Sequence, residues 1–426
     1  MTRVKILVVV VLFFVFTSTA FGAGLVIGHV GLPDGLAGAG PAAAGGVPAG
    51  QVDFDTFWQA WDLVQEHFVD RAALDETQLE YGAIEGMIQA LGDEGHTVFM
   101  TPEEMERRQT DLSGTFSGIG ALLGVRDGLP LIVAPFDGSP ADRAGIKAGD
   151  IIMEVDGEDV TSLPLDAIVE KIRGEEGTAV VLTVLRPEDG ESLEIEITRG
   201  EIVVPTATWA LVPGTHVALI RLSQFSANAE EQMIQALREA EKAGAEALIV
   251  DVRNNPGGLL DQAIRVTSQF LTSGNVLLEE DAQGQRKPYP VKSGGIAPEI
   301  PLVILVNQGS ASSAEIFAGA IQDQGRGLIV GETTFGTGTV LRPFTLDDGS
   351  GLMLGTSQWL TPNGRLIRKQ GIEPDVVVEM PMGAATLQPG ELQEMTAGEL
   401  LESDDLQLLK ALELLEALPA GDVAGR

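Results

Sequence analysis

No cysteine occurs anywhere in the 426 residues, so disulfides, thiolate metal sites and cysteine nucleophiles are all excluded. Positive charge is scarce as well, with 27 Lys and Arg against 62 Asp and Glu and a formal charge of −35. Phosphate recognition rests on Lys and Arg, which rules out nucleic acid as a partner and basic-patch binding to an anionic membrane surface. Acidity on this scale favours solubility and repels acidic substrates. Histidine is rare too: His29, His67, His96 and His216 are the only four. No His/Asp/Glu group has ligand spacing, so neither metal nor cofactor is expected.

What is present begins with an apolar amino terminus. Arg3 and Lys5 precede an apolar run from residue 6 to 16, and hydrophobicity resumes from 20 to 30. Together these stretches give about 25 residues of membrane span, with the positive end cytoplasmic. A cleaved signal peptide competes with an anchor, because Ala20-Phe21-Gly22 supplies small residues at a suitable offset. Either way residues 1–31 direct the rest to the cell envelope, outside the cytoplasm, anchored or secreted. Residues 32–50, rich in Gly, Ala and Pro, read as a flexible tether.

At 426 residues the remainder exceeds what one core organises, and two or three domains are expected. Phe54, Phe57, Trp58, Trp61, Leu63, Val64 and Phe68, then Ala83, Ile84, Met87, Ile88 and Leu91, recur at helical spacing. Residues 51–112 are therefore predicted to form a small helical domain with these aromatics in its core. From 113 to 200 the pattern changes to short strands, including 180–185 and 193–197, around one helix at 165–172. From 201 to 380 apolar strands (217–221, 247–252, 302–306, 328–330) alternate with helices (230–243, 314–322), which predicts an α/β sheet with crossover helices. Ligands of such sheets bind beyond the carboxyl ends of the strands. Residues 381–426 form a helical extension whose leucines at 406, 408, 409, 412, 414, 415 and 418 predict an amphipathic helix packed on the same chain.

Two loops fall at those strand ends. Asp251-Val252-Arg253-Asn254-Asn255-Pro256-Gly257-Gly258 offers successive amides able to hold an oxyanion. Asn307-Gln308-Gly309-Ser310-Ala311-Ser312-Ser313-Ala314-Glu315 delivers small residues from a buried strand into a helix, a setting that suits an exposed nucleophile. Glu315 is expected to complement the helix dipole. A serine hydroxyl needs a neighbour to take its proton, a neutral lysine or a histidine as a rule. His96, in a glycine-flanked loop, is read as structural, and Lys369 as a surface lysine near a turn.

These segments, with Gly331-Glu332-Thr333-Thr334-Phe335-Gly336-Thr337-Gly338 and Ser139-Pro140-Ala141-Asp142-Arg143-Ala144-Gly145-Ile146-Lys147-Ala148-Gly149-Asp150, resemble the C-terminal processing proteases. That family comprises Ser/Lys peptidases carrying a PDZ domain, and the resemblance covers about residues 52–380. It implies a multidomain α/β protein: an N-terminal helical domain, a PDZ domain of mixed β with a helix, and a crotonase-like α/β peptidase core. Ser312 matches the nucleophile, and Gly257 or Gly258 with Ser313 matches the oxyanion hole. Gly118-Ile119-Gly120-Ala121 matches the loop that catches a peptide's terminal carboxylate while the peptide adds to a sheet edge. Asp323 aligns with an acidic position that is functional in some relatives. Thr337 stands where the family has its general-base lysine, and Leu341 where many members have a glutamine orienting that lysine. The implied partners are proteins or peptides with free C-termini, the membrane through the N-terminal segment, and a homo-oligomer as an open option. Two functions follow: an extracytoplasmic serine endopeptidase with an atypical or missing base, or an inactive member serving as a PDZ peptide-binding adaptor or regulator.

Overall fold

The computed structural model describes residues 24–25, 54–93, 96–126, 128–136, 138–187 and 190–416. The expected anchor or signal at 1–31 and the tether at 32–50 lie outside these residues, apart from the strand Gly24–Leu25, which pairs parallel with Val340 and Leu341. No helix among the described residues is long and apolar enough to cross a membrane.

The central sheet runs in the order Ala207–Leu211, Val217–Leu222, Ala247–Asp251, Leu302–Val306, Leu328–Gly331, Val376–Val377. Its first pair is antiparallel and the others are parallel. The strand Leu302–Val306 is an unbroken apolar run and Ala247–Asp251 is one up to its terminal aspartate, because both faces are covered. Successive side chains alternate between those faces. Leu248, Val250, Leu302, Ile304 and Val306 join the core made by the helices Ala229–Lys242, Leu260–Ser268 and Ser313–Asp323. Ile249, Val303, Leu305 and Val330 face the other way, onto Leu392, Leu400, Leu408 and Leu412 of the C-terminal extension. The helix expected among the late leucines spans Leu406–Leu414 and supplies this second cover on the same chain, as its amphipathic pattern implies.

A second sheet lies beside the first, with Thr339–Thr345, Gly351–Leu360, Asn275–Glu280 and Arg286–Pro290 in order and Val98–Met100 added to Gly351–Leu360. A third sheet, Ala121–Arg126, Leu129–Pro135, Ile151–Val155, Ala179–Arg186 and Glu191–Thr198, closes its own core over the helix Leu165–Ile172. Chain enters and leaves this unit through one antiparallel ribbon, Thr115–Gly118 with Gly200–Val203.

The N-terminal helices form where periodicity puts them, at Asp55–His67 and Glu76–Gln89, but their aromatic core does not. The helix Asp55–His67 contains no buried residue, and Phe54, Phe57, Trp58, Leu63, Val64 and Phe68 are all exposed. Its rings pack edge to face on one another instead, Phe57 on Trp58 at 5.2 Å. The physical reason is that an amphipathic stripe records only that a helix has an apolar face. It does not supply an element for that face to meet.

Candidate active site

The loops after Ala247–Asp251 and Leu302–Val306 are laced together at the carboxyl edge of the central sheet. The Asn254 amide donates to Asn307 Oδ1 at 2.8 Å, and Asn307 Nδ2 donates to Asn254 Oδ1 at 2.9 Å. Ser310 Oγ donates to the Val252 carbonyl at 2.7 Å, and the Ala311 amide to the Asn255 carbonyl at 2.9 Å. Glycine is required at the closest approach, since a Cβ on Gly257 would stand 2.7 Å from that of Ser312.

Ser312 caps the helix Ser313–Asp323 with φ 53° and ψ −112°, a conformation that costs a non-glycine residue about 1–3 kcal/mol. It is 1% exposed, and its hydroxyl has no hydrogen-bond partner among the described residues. The buried Thr337 hydroxyl is equally unpartnered. Buried polar groups are nearly always paired, so two orphans in one place demand a reason. The two residues are joined through Glu315, whose Oε2 accepts from the amides of Ser312 at 2.8 Å and Thr337 at 2.9 Å. Oε1 of the same carboxylate accepts from Thr334 Oγ1 and the Gly336 amide, each at 2.6 Å. Burial pushes the Glu315 pKa above its ordinary value, and these four donors offset only part of that rise.

Among the expected oxyanion donors, the Gly257 amide is already committed to Asn255 Oδ1 at 2.8 Å. The Gly258 and Ser313 amides donate to no protein acceptor among the described residues. Gly258 is held by the bonds of its neighbours to Phe225 and by Ser313 Oγ, which donates to its carbonyl at 3.1 Å. Its φ of 146° belongs to glycine alone, and a Cβ there would meet the Phe225 carbonyl oxygen at 2.3 Å.

Asp323 is not brought to this cluster. It stands at the far end of its helix, roughly 16 Å from Ser312 at 1.5 Å per residue, and pairs with Arg365 while accepting from the Asn363 amide at 2.8 Å. Leu341 is fully buried in an apolar cluster with Leu112, Met353 and Leu259. Lys369 donates its amide to the Gly336 carbonyl at 2.8 Å while its side chain is exposed. His216 lies exposed at the opposite edge of the sheet and His67 is exposed in the N-terminal helix. His96 is buried, 3.9 Å from Asp93 through Nδ1 and with its ring 6.3 Å from that of Phe335. Asp93 in turn pairs with Arg368 and accepts from Thr97, and the helix-to-strand turn is thereby fastened onto the Thr337 loop.

In the third sheet's unit, Gly120 has φ 73° and lies so close to Ser139 that a Cβ would stand 2.5 Å from the serine's own. The Ile119 carbonyl accepts from the Ala141 amide and the Gly120 carbonyl from Phe136. Ile119 points into the core, and Ala121 opens the edge strand Ala121–Arg126. Gly118 ends the connecting ribbon.

Three contributions were not foreseen. Asn255 holds both the Gly257 amide and the Leu222 carbonyl. Glu315 is the clamp of the site, which the Ser-x-x-Glu spacing of a capping box would have signalled. Asp405 pairs with buried Arg253 from the C-terminal extension, a contact across 152 positions that no local pattern announces.

Comparison with known proteins adds two family matches: peptidase family S41 at residues 216–378 and a PDZ domain at residues 132–186. The carboxy-terminal processing protease CtpB of Bacillus subtilis is 36% identical over 77% of this chain and 68% of its own length. The carboxyl-terminal-processing protease of Synechocystis is 38% identical over 80% of this chain and 81% of its own. Among solved structures, the photosystem II D1 C-terminal processing protease matches 79% of this chain and 95% of its own at 29% identity, with a TM-score of 0.46.

Proposed function

The chain belongs to the carboxyl-terminal processing proteases, serine-type endopeptidases of peptidase family S41 that carry a PDZ domain, and from that premise we propose that Ser312 is its nucleophile. The observation that carries this reading is the strained Ser312 with its buried, unpartnered hydroxyl, against a loop where only glycine fits. In the proposed reaction Ser312 Oγ attacks the scissile carbonyl as its proton passes to water, and the amides of Gly258 and Ser313 receive the oxyanion. Each such donor is commonly worth about 3 kcal/mol in the transition state. The C–N bond breaks as the amine leaves with a proton, and a second water hydrolyses the acyl-serine ester. Thr337 occupies the base position and cannot take the serine's proton at neutral pH. Turnover is therefore expected to be about two to four orders of magnitude below that of an enzyme with a base. The substrates are proteins or peptides with free C-termini, captured at the loop of Gly118, Ile119, Gly120 and Ala121. The site of action is outside the cytoplasm, with residues 1–31 as anchor or signal.

A second reading is favoured by Leu341, whose apolar surroundings leave an orienting partner for a base no polar place. On that reading the chain binds C-terminal peptides without cleaving them. The deciding measurement is cleavage of an unfolded model protein by the full-length chain and by Ser312→Ala across pH 6 to 10. Slow cleavage abolished by the substitution is expected, and its pH profile reports the pKa of whatever group accepts the proton. Cleavage no faster than the variant's background, with C-terminal peptides still bound, would move the assignment to an adaptor.

A further inference from the structure

Arg253 begins the loop that carries Gly257 and Gly258, and it is fully buried. Its amide and Nε donate to Asp251 Oδ1 at 2.8 and 3.0 Å, and Nη2 donates to Asp251 Oδ2 at 2.8 Å. The outer edge of the guanidinium is held from the far end of the chain. Nη1 reaches Asp405 Oδ1 at 2.7 Å and Gln407 Oε1 at 3.1 Å, and Nη2 reaches Asp405 Oδ2 at 3.0 Å. With Arg221 at 3.1 Å from Asp251, two cations and two carboxylates form a closed, neutral quartet.

Asp405 is itself fixed in place. It caps the helix Leu406–Leu414 by accepting from the Leu408 amide at 3.0 Å, and it accepts from the Leu387 amide at 2.9 Å. Gln407 Nε2 ties the same turn to the Val378 carbonyl at 2.8 Å. On the other side of Arg253, the Val252 carbonyl accepts from Ser310, and Asn254 and Asn255 bond the segment leading to Ser312. A continuous path of hydrogen bonds thus runs from the C-terminal extension to both sides of the site. Apolar side chains of similar volume often stabilise a core better than a buried ion network, while removing one partner leaves an uncompensated charge. Such a network is therefore better explained by the orientation it imposes than by the stability it adds.

We propose that the C-terminal extension is a positioning element for catalysis, in which Asp405 holds Arg253 and thereby sets the Asn254–Gly258 loop against Ser312. Arg253 and Asp405 are positioning residues and touch no reacting atom. The inference rests on the reading of Ser312 and Gly258 given above, and its test keeps the two apart.

The experiment compares full-length chain, Asp405→Asn, Gln407→Ala and, as a control for lost stability alone, Met233→Ala, whose side chain is buried in the helical core away from the quartet. Amide hydrogen exchange over residues 253–259 is read together with kcat and KM for the unfolded substrate. Asp405→Asn is expected to raise exchange in that segment at least about tenfold, because a buried guanidinium loses one of its two charged partners and the quartet keeps an uncompensated charge. It should lower kcat by about tenfold or more with KM within about twofold, the split expected when ground-state binding is untouched. Gln407→Ala should move both in the same direction by a smaller factor, and carries the test if Asp405→Asn fails to fold. Met233→Ala should lower the unfolding midpoint and leave both readings at the wild-type value. Unchanged exchange at 253–259 in the folded Asp405 or Gln407 variant overturns the proposal. A wild-type chain that does not cleave overturns the reading of Ser312, and exchange alone then decides the positioning role.

Discussion

Ser312 and Thr337 share one carboxylate oxygen of Glu315 through their backbone amides, so a side chain placed at 337 starts close to the proposed nucleophile. On the proposed reading a threonine hydroxyl stands where the base is needed, and Leu341, four residues on, lies among apolar side chains. A lysine at 337 would be buried, and burial disfavours its charged form, which lowers its pKa and makes it a base near neutral pH. Thr337→Lys with Leu341→Gln is expected to raise kcat/KM about 10²-fold to 10⁴-fold over the wild type. The added volume in a filled site costs roughly 1–3 kcal/mol of stability. A folded double variant with wild-type activity, or activity that survives Ser312→Ala, would sink this account. The loops that meet at the candidate site were legible where they are written as contiguous residues, such as Gly257-Gly258 and Ser312-Ser313. Asp323 lies about three turns along the helix from Ser312, where it pairs with Arg365, since a matched position on a helix does not say which end of the helix faces the chemistry. Asn255 and Asp405 stayed hidden because their roles are hydrogen bonds to distant backbone or charge, which leave no periodicity.

Among the elements, those whose apolar residues reach a core were the most legible. The strand Leu302–Val306 and the helix Leu165–Ile172 fall where the apolar pattern puts them, and the other core strands differ by a residue or two. The helix Asp55–His67 shows the limit of the same reasoning. Its stripe of Phe57, Trp61, Val64 and Phe68 predicts burial, yet no residue of the helix is buried. A helix that buries nothing contributes little to the stability of the body, whatever its composition. Phe57→Ala with Trp58→Ala is therefore expected to shift the unfolding midpoint by no more than about 1 °C, whereas truncating fully buried aromatics such as Phe317 costs about 3–5 kcal/mol. Differential scanning calorimetry of the two variants decides it. A fall of several degrees in the exposed-face variant would mean that this helix packs on something that its exposure does not reveal.

The whole molecule must fold against its own charge. A formal −35 on 426 residues opposes compaction by self-repulsion, screened with a length of about 10 Å at 0.1 M salt. Two buried carboxylates add opposite dependences on pH. Burial works against the Asp251 charge, but Arg253 and Arg221 outweigh it and hold its pKa below the ordinary value. Its stabilising contribution is therefore complete above the unfolded value of about 3.9 and is lost as pH falls through the lower folded one. Glu315 is raised by burial, so its contribution is present below about 4.3 and is lost as pH rises through its folded value. Self-repulsion weakens the fold as pH rises, Glu315 adds to this between about 4.3 and its raised folded pKa, and Asp251 weakens it as pH falls below about 4. The unfolding midpoint is thus expected to peak near pH 5. At pH 8 it should rise by about 5 °C between 0.05 and 0.5 M NaCl, with a smaller rise at pH 5 where fewer carboxylates are ionised. A midpoint indifferent to salt at pH 8 would remove self-repulsion as the opposing force, and one still high at pH 2 would mean that the Asp251 pairing contributes no net stability.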